Sequence, residues 1–205
     1  MFRPVSNDLV ALLRRLAPDE WGRQTVAGSW QVRDVVAHLL DTTLRRLSFH
    51  RDGMTPPAPA TPIASDNDFV AFINGLNAQW VVAAGRLSPR VLTNLYERAS
   101  ADVADWFEAQ PLDGPALFPV SWAGEQESAN WFDIGREFTE LWHHQQQIRM
   151  AVGAESLPDP RYLHAVIDLA VRGLPHAYRD AAGATGETVV IEVTGQAGGH
   201  WTLSR

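Results

Sequence analysis

Apolar positions recur at the three-to-four-residue spacing of helices that bury one face over most of this chain. Leu9, Val10, Leu12, Leu13 and Leu16 precede Pro18 and predict a helix of about three turns, opened by Ser6 as its N-cap. A second helix is predicted from near Ser29 through Val32, Val35, Val36, Leu39, Leu40, Leu44 and Leu47 to Gly53. Pro56, Pro57, Pro59 and Pro62 make the next stretch a loop, because each removes a backbone donor and restricts the residue before it. Ser65 and Asp68 fit a capping box ahead of Phe69, Phe72, Ile73, Leu76, Trp80 and Val81. Ser88 and Pro89 then head Val91, Leu92, Leu95, Val103, Trp106 and Phe107, and these two segments are either separate helices or one bent helix. Residues 111–124 read as a Gly/Pro-rich loop, and Asn130 to about Val152 as a long helix stopped by Gly153.

Near the C-terminus the period changes. Asp159 and Pro160 open one more helix, from Tyr162 to about Ala182, after which Thr188–Val193 and His200–Leu203 read as two short strands around Gly195, Gly198 and Gly199. Two strands cannot cover their own apolar face, so the hairpin either docks on another surface or belongs to a larger sheet. The expected architecture is mainly α: an antiparallel helix bundle over residues 1–155, followed over residues 156–205 by a helix and a short β-hairpin that form a partial second domain or an appendage.

Composition narrows the chemistry. A formal net charge of −7 and a pI near 5.4 oppose binding to a phosphate backbone, so no nucleic-acid partner is expected. No stretch approaches the apolar length of a membrane span, and the N-terminus lacks an apolar signal core, which makes the cytoplasm the default location. All 17 basic residues are arginine, excluding a lysine Schiff base or a lysine general base. Cysteine is absent, so any metal must be held by His and carboxylates, and any thiol must come from outside the chain.

The segment from Arg136 to Arg149 carries the candidate chemistry. Glu140 and His144 are four residues apart and project from neighbouring turns of one helix face, where they could grip a single ion. Trp131, Ile134, Phe138, Leu141 and Ile148 form an apolar stripe. At about 100° per residue His144 lies roughly 60° from its centre and His143 on the opposite side, so His144 should face inward and His143 the solvent. Such a pair also occurs by chance in many helices. His38 falls away from the Val36, Leu40 and Leu47 stripe, near Asp34, Asp41 and Arg45, which places it at the boundary of its helix or outside.

The stretch Trp30-Gln31-Val32-Arg33-Asp34-Val35-Val36-Ala37-His38-Leu39 resembles the second-helix signature of the maleylpyruvate isomerase N-terminal family, the mycothiol-dependent branch of the DinB-like four-helix bundles. Arg136, Glu140, His144 and Ile148 at four-residue intervals resemble that family's later metal-binding helix, about a hundred residues on. The resemblance covers roughly residues 5–155. It implies His38, Glu140 and His144 as three ligands of one divalent metal ion, zinc first and nickel or iron(II) as alternatives, with a fourth position open. Many members carry Asp where this chain has Gln147, so a carboxylate behind the ligands is missing. The family's isomerases also have a further C-terminal α/β domain that contributes a catalytic arginine, and no arginine here can be assigned to that role.

The implied function is that of a thiol transferase or isomerase: a low-molecular-weight thiol such as mycothiol, activated on the metal, attacks an electrophilic substrate. Arg149 and Arg33, near the ligands in sequence, are candidates for orienting an acidic cofactor or substrate. Two alternatives stand beside it: a non-catalytic metal-binding or stress-associated bundle, and a small metal-dependent hydrolase with Glu137 as base, unless Glu137 is instead paired with Arg136 or another arginine. Trp21, Trp122 and Trp142 could line a pocket or a homodimer interface.

Overall fold

The computed structural model describes residues 1–184 and 186–204. It contains α1 (Phe2–Leu13), α2 (Val32–Arg45), α3 (Asp66–Ala84), α4 (Pro89–Ala109), α5 (Asn130–Val152), α6 (Pro160–Val171), the single turn α7 (Leu174–Ala177), and the strands β1 (Thr188–Val193) and β2 (Gly199–Ser204). Two compact units are formed, one by Phe2–Ala109 with His144–Ala154, the other by Gln110–His143 with the chain from Glu155 onward. Helix α5 runs through both. Among the described residues no helix is long and apolar enough to cross a membrane.

In the first unit α2 packs against α3 and α4, and α1 against α4. Val5, Leu9, Val32, Val35, Val36, Leu40 and Ile148 are fully buried and form its core. Ser6 does not cap α1, which starts at Phe2 because Pro4 needs no hydrogen-bond partner in a first turn. Its hydroxyl instead lies 3.1 Å from that of Tyr96 inside the core, where burial pushes the Tyr96 phenol well above its ordinary range. The start of α2 is also later than Ser29: the Gln31 N–H donates to the Asp34 carboxylate at 3.0 Å and sets the first turn. At its far end α2 widens into a π-helical segment, Arg46–Arg51, in which buried Arg46 donates to His50 Nε2 at 2.7 Å.

Ser65 accepts from the Asp68 N–H at the head of α3, and α4 is a separate helix opened by Ser88 and Pro89. Polar bonds tie α3 to α2, with Trp80 Nε1 donating to the Ala37 carbonyl at 2.8 Å and Arg45 to Asn77 at 2.6 Å.

In the second unit Asp159 caps α6 as expected, but α6 stops at Val171 rather than near Ala182. Pro175 is the reason: it lacks an N–H, and in a continuous helix its ring would strike the carbonyl four residues back, at Val171. The hairpin is antiparallel with Ile191 opposite Trp201 and Val193 opposite Gly199. It docks on α6, with Trp201 Nε1 donating to Asp168 at 3.0 Å and His164 Nδ1 lying 3.2 Å from the Ala197 carbonyl. The loop at residues 111–124 ends at Gly124, whose φ of +79° favours glycine and where a Cβ would collide with the His176 ring.

Candidate metal centre

Three helical turns bring the candidate ligands together. One donor atom from each of His38, Glu140 and His144 lies within 4.8 Å of the others. Glu140 and His144 owe this to their four-residue spacing on α5, and His38 to its place on α2. The position of His38 differs from the expectation of a boundary residue, for the ring is only 4% exposed. Helix α2 is enclosed by α3 and α4 and is buried on most sides, so that Ala37, Asp41 and Thr43 lie inside as well. A single apolar stripe therefore understates which of its residues are covered.

The two imidazoles meet edge to face with ring centroids 4.9 Å apart. Trp30 lies beside both, 5.0 Å from His38 and 6.3 Å from His144 between ring centroids. A closed turn sets Trp30 there: Gln24 Nε2 donates to the carbonyls of Thr25, Gly28 and Trp30, each at 3.0 Å, and Thr25 Oγ1 donates to the Trp30 carbonyl at 2.7 Å. Gly28, at φ +59°, supplies the left-handed residue the turn needs.

Behind the ligands, His144 Nδ1 lies 2.7 Å from the Gln147 amide oxygen. Gln147, the departure from the family pattern named above, thus presents an amide oxygen that accepts from the ring. His143 is exposed and lies against Trp142, as its helical phase requires. Gln145, between the two, is fully buried. Its amide nitrogen donates to the Val5 carbonyl at 2.9 Å, and its oxygen accepts from the Leu9 N–H at 3.2 Å and from Arg149 at 3.1 Å. That amide fixes the last turns of α5 against α1, a role carrying no signal in the sequence beyond a polar residue on an apolar face. Asp41, one turn after His38, sits in a buried carboxyl position: burial pushes it above the ordinary carboxylate range, against the opposing pull of Arg45 and His38.

Of the two candidate arginines, Arg149 is half-buried on the ligand helix, and burial holds its guanidinium below the usual arginine range. Arg33 donates to the Gly85 carbonyl at 2.9 Å. It lines a cavity of about 260 Å³ with Trp21, Gln31, Leu87 and Leu92, and none of the three candidate ligands lines that cavity. Glu137 lies 3.9 Å from Arg136, the paired arrangement expected if it is not a base. Trp21 is buried, Trp142 half-buried on α5, and Trp122 is 43% exposed beside Phe132.

Residues 2–149 match the mycothiol maleylpyruvate isomerase N-terminal domain family. Two solved structures, a mycothiol-dependent maleylpyruvate isomerase and a histidine-to-alanine mutant of such an enzyme, are each 18% identical with a TM-score of 0.54. Each match covers 81% of this chain and 64% of the solved chain, so the chain spans less than two thirds of the length of these neighbours. At that identity the likeness is one of fold: the mainly helical, DinB-like architecture with a small antiparallel sheet. No curated protein matches the chain.

Proposed function

The chain belongs to the mycothiol maleylpyruvate isomerase N-terminal domain family, and from that membership we propose that it is a divalent-metal-dependent thiol transferase or isomerase using a low-molecular-weight thiol such as mycothiol. The observation that carries the reading is the convergence of one donor atom each from His38, Glu140 and His144 to within 4.8 Å. Two imidazoles and a carboxylate suit a borderline divalent ion, and three protein ligands rather than four are the pattern of a catalytic zinc. Zinc is the first choice of metal, and nickel or iron(II) would accept the same donors. A divalent cation held by these residues would supply the Lewis acidity that keeps a small thiol deprotonated near neutral pH.

The remaining work falls to the chain. Glu140 would offset part of a bound cation's charge, and Trp30 lies beside both imidazoles. Arg149, whose guanidinium is desolvated and already donates to the Gln145 oxygen, and Arg33, which donates to a backbone carbonyl, are the two candidate contacts for an acidic cofactor or substrate. With no cysteine in the chain, no internal thiol competes with the cofactor. The thiolate forms a carbon–sulfur bond to the electrophile; departure of a leaving group completes a transfer, and re-expulsion of the same thiolate completes an isomerisation.

Elemental analysis of the untreated protein, followed by turnover assays with mycothiol and a chlorinated aromatic electrophile, tests the reading. About one metal per chain is expected, with thiol and electrophile consumed together if the protein is a transferase and the thiol regenerated if it is an isomerase. Metal without turnover would leave the non-catalytic binding role, and no metal under any loading condition would sink the site.

A further inference from the structure

We infer that Gln147 is a positioning residue for His144, holding the imidazole proton on Nδ1 so that the Nε2 lone pair is the one presented to a metal. The inference deepens the metal-site reading and rests on it. Its geometry is a 2.7 Å contact between His144 Nδ1 and Gln147 Oε1. An amide oxygen can only accept, so the ring nitrogen facing it carries the proton, and a neutral imidazole has only one to carry. The lone pair is then on Nε2, at the far end of the ring.

The chain builds this arrangement within one helix. At 100° per residue, His144 lies about 40° around α5 from Glu140, and Gln147 about 20° to the other side, so the three side chains stack in a column along one face. Gln145 cannot substitute, since it is fully buried and its amide is committed to α1 through Val5 and Leu9. A free histidine side chain in water prefers the opposite tautomer, with the proton on Nε2, and that form would turn a donor rather than a lone pair toward a metal at that nitrogen. Fixing the tautomer before a metal arrives removes that rearrangement from binding. An amide does this without adding charge, leaving Glu140 as the anion of the donor set.

The test compares wild type, Gln147→Met and Gln147→Glu in the full chain, with far-UV circular dichroism confirming that each is folded. Long-range nitrogen–proton correlation spectra of the metal-free proteins report which His144 nitrogen is protonated, and competition titration reports zinc affinity. Wild type is expected to carry the proton on Nδ1. In Gln147→Met it should move toward Nε2, and zinc affinity should fall by about 10- to 100-fold, the usual cost of losing a residue that orients a ligand. Gln147→Glu should restore both. Protonation of wild-type His144 on Nε2, or a methionine variant unchanged in tautomer and affinity, would overturn the role of Gln147. A wild-type protein that binds no zinc while keeping the Nδ1 proton would overturn the metal reading instead, so the two failures are told apart.

Discussion

His38 and His144 stand edge to face with ring centroids 4.9 Å apart, although more than a hundred residues of chain lie between them. Under the proposed reading both rings belong to one metal site, and His38 is only 4% exposed. His38→Ala and His144→Ala should each lose most of the bound metal by elemental analysis. His143→Ala, whose ring is exposed, should retain it. Equal loss in all three would mean that the helical phase of α5 does not govern the site.

Chelation should weaken the protein without unfolding it. The core around Val5, Leu9, Val36, Leu40 and Ile148 is apolar and fully buried. This is unlike a small metal-dependent domain, whose binding energy is its folding energy. Free zinc at a hundred times its dissociation constant stabilises the folded state by about 2.7 kcal/mol. A chelator should therefore lower the melting temperature and leave the far-UV helical signal in place at 25 °C; disappearance of that signal would make the metal structural.

The Ser6–Tyr96 pair gives a second stability test. Removing the serine hydroxyl leaves the Tyr96 oxygen buried without its 3.1 Å partner. Ser6→Ala should cost about 1–3 kcal/mol in urea unfolding, the penalty for an unsatisfied buried polar group. Adding Tyr96→Phe should recover part of that loss, and strict additivity of the two changes would show that the hydroxyls do not interact.

Docking of the hairpin should be lost in acid. Burial pushes the Asp168 carboxyl up, but the Trp201 N–H and Arg172 outweigh it and hold the group below its ordinary value of 3.8. A depressed carboxylate stabilises the folded form fully above the unfolded value, and that contribution disappears as pH falls through the lower folded one. Trp201 fluorescence or hydrogen exchange in β1 and β2 should therefore report undocking as pH falls below about 4. In Asp168→Asn the same measurement should lose most of its pH dependence, and an unchanged acid transition would assign the effect to another group.

Much of this was legible along the chain. Ser88-Pro89 and Gly153 marked the start of α4 and the end of α5, because capping and left-handed residues act locally and leave a local signature. Glu140 and His144 were legible for the same reason, their spacing being the helix itself. His38 is buried although the apolar stripe of α2 points elsewhere, because Trp30 and the His144 ring of α5 lie against it, and neither partner is visible in the pattern of its own helix. The end of α6 falls short of its apolar run because Pro175 cannot continue the helix. The Gln24 amide that closes the turn under Trp30 had no visible signal, since a polar residue before a loop is ordinary until its three acceptors are seen.

The π segment at Arg46–Arg51 has a consequence for how the gene can change length. A π turn holds one residue more than the α turn it replaces, so a single-codon deletion inside it can relax into ordinary helix. The turns before it, with His38, would keep their place, and the chain after it would stay close to its present phase, because the residue lost is the one the wider turn holds in excess. Only side chains within the segment itself would have to shift, among them the His50 ring, whose centroid is 5.8 Å from that of Trp106, and the proline-rich loop downstream would absorb any small offset. The end of α2 is thus a place where insertions and deletions can be accommodated without moving the residues that face His144.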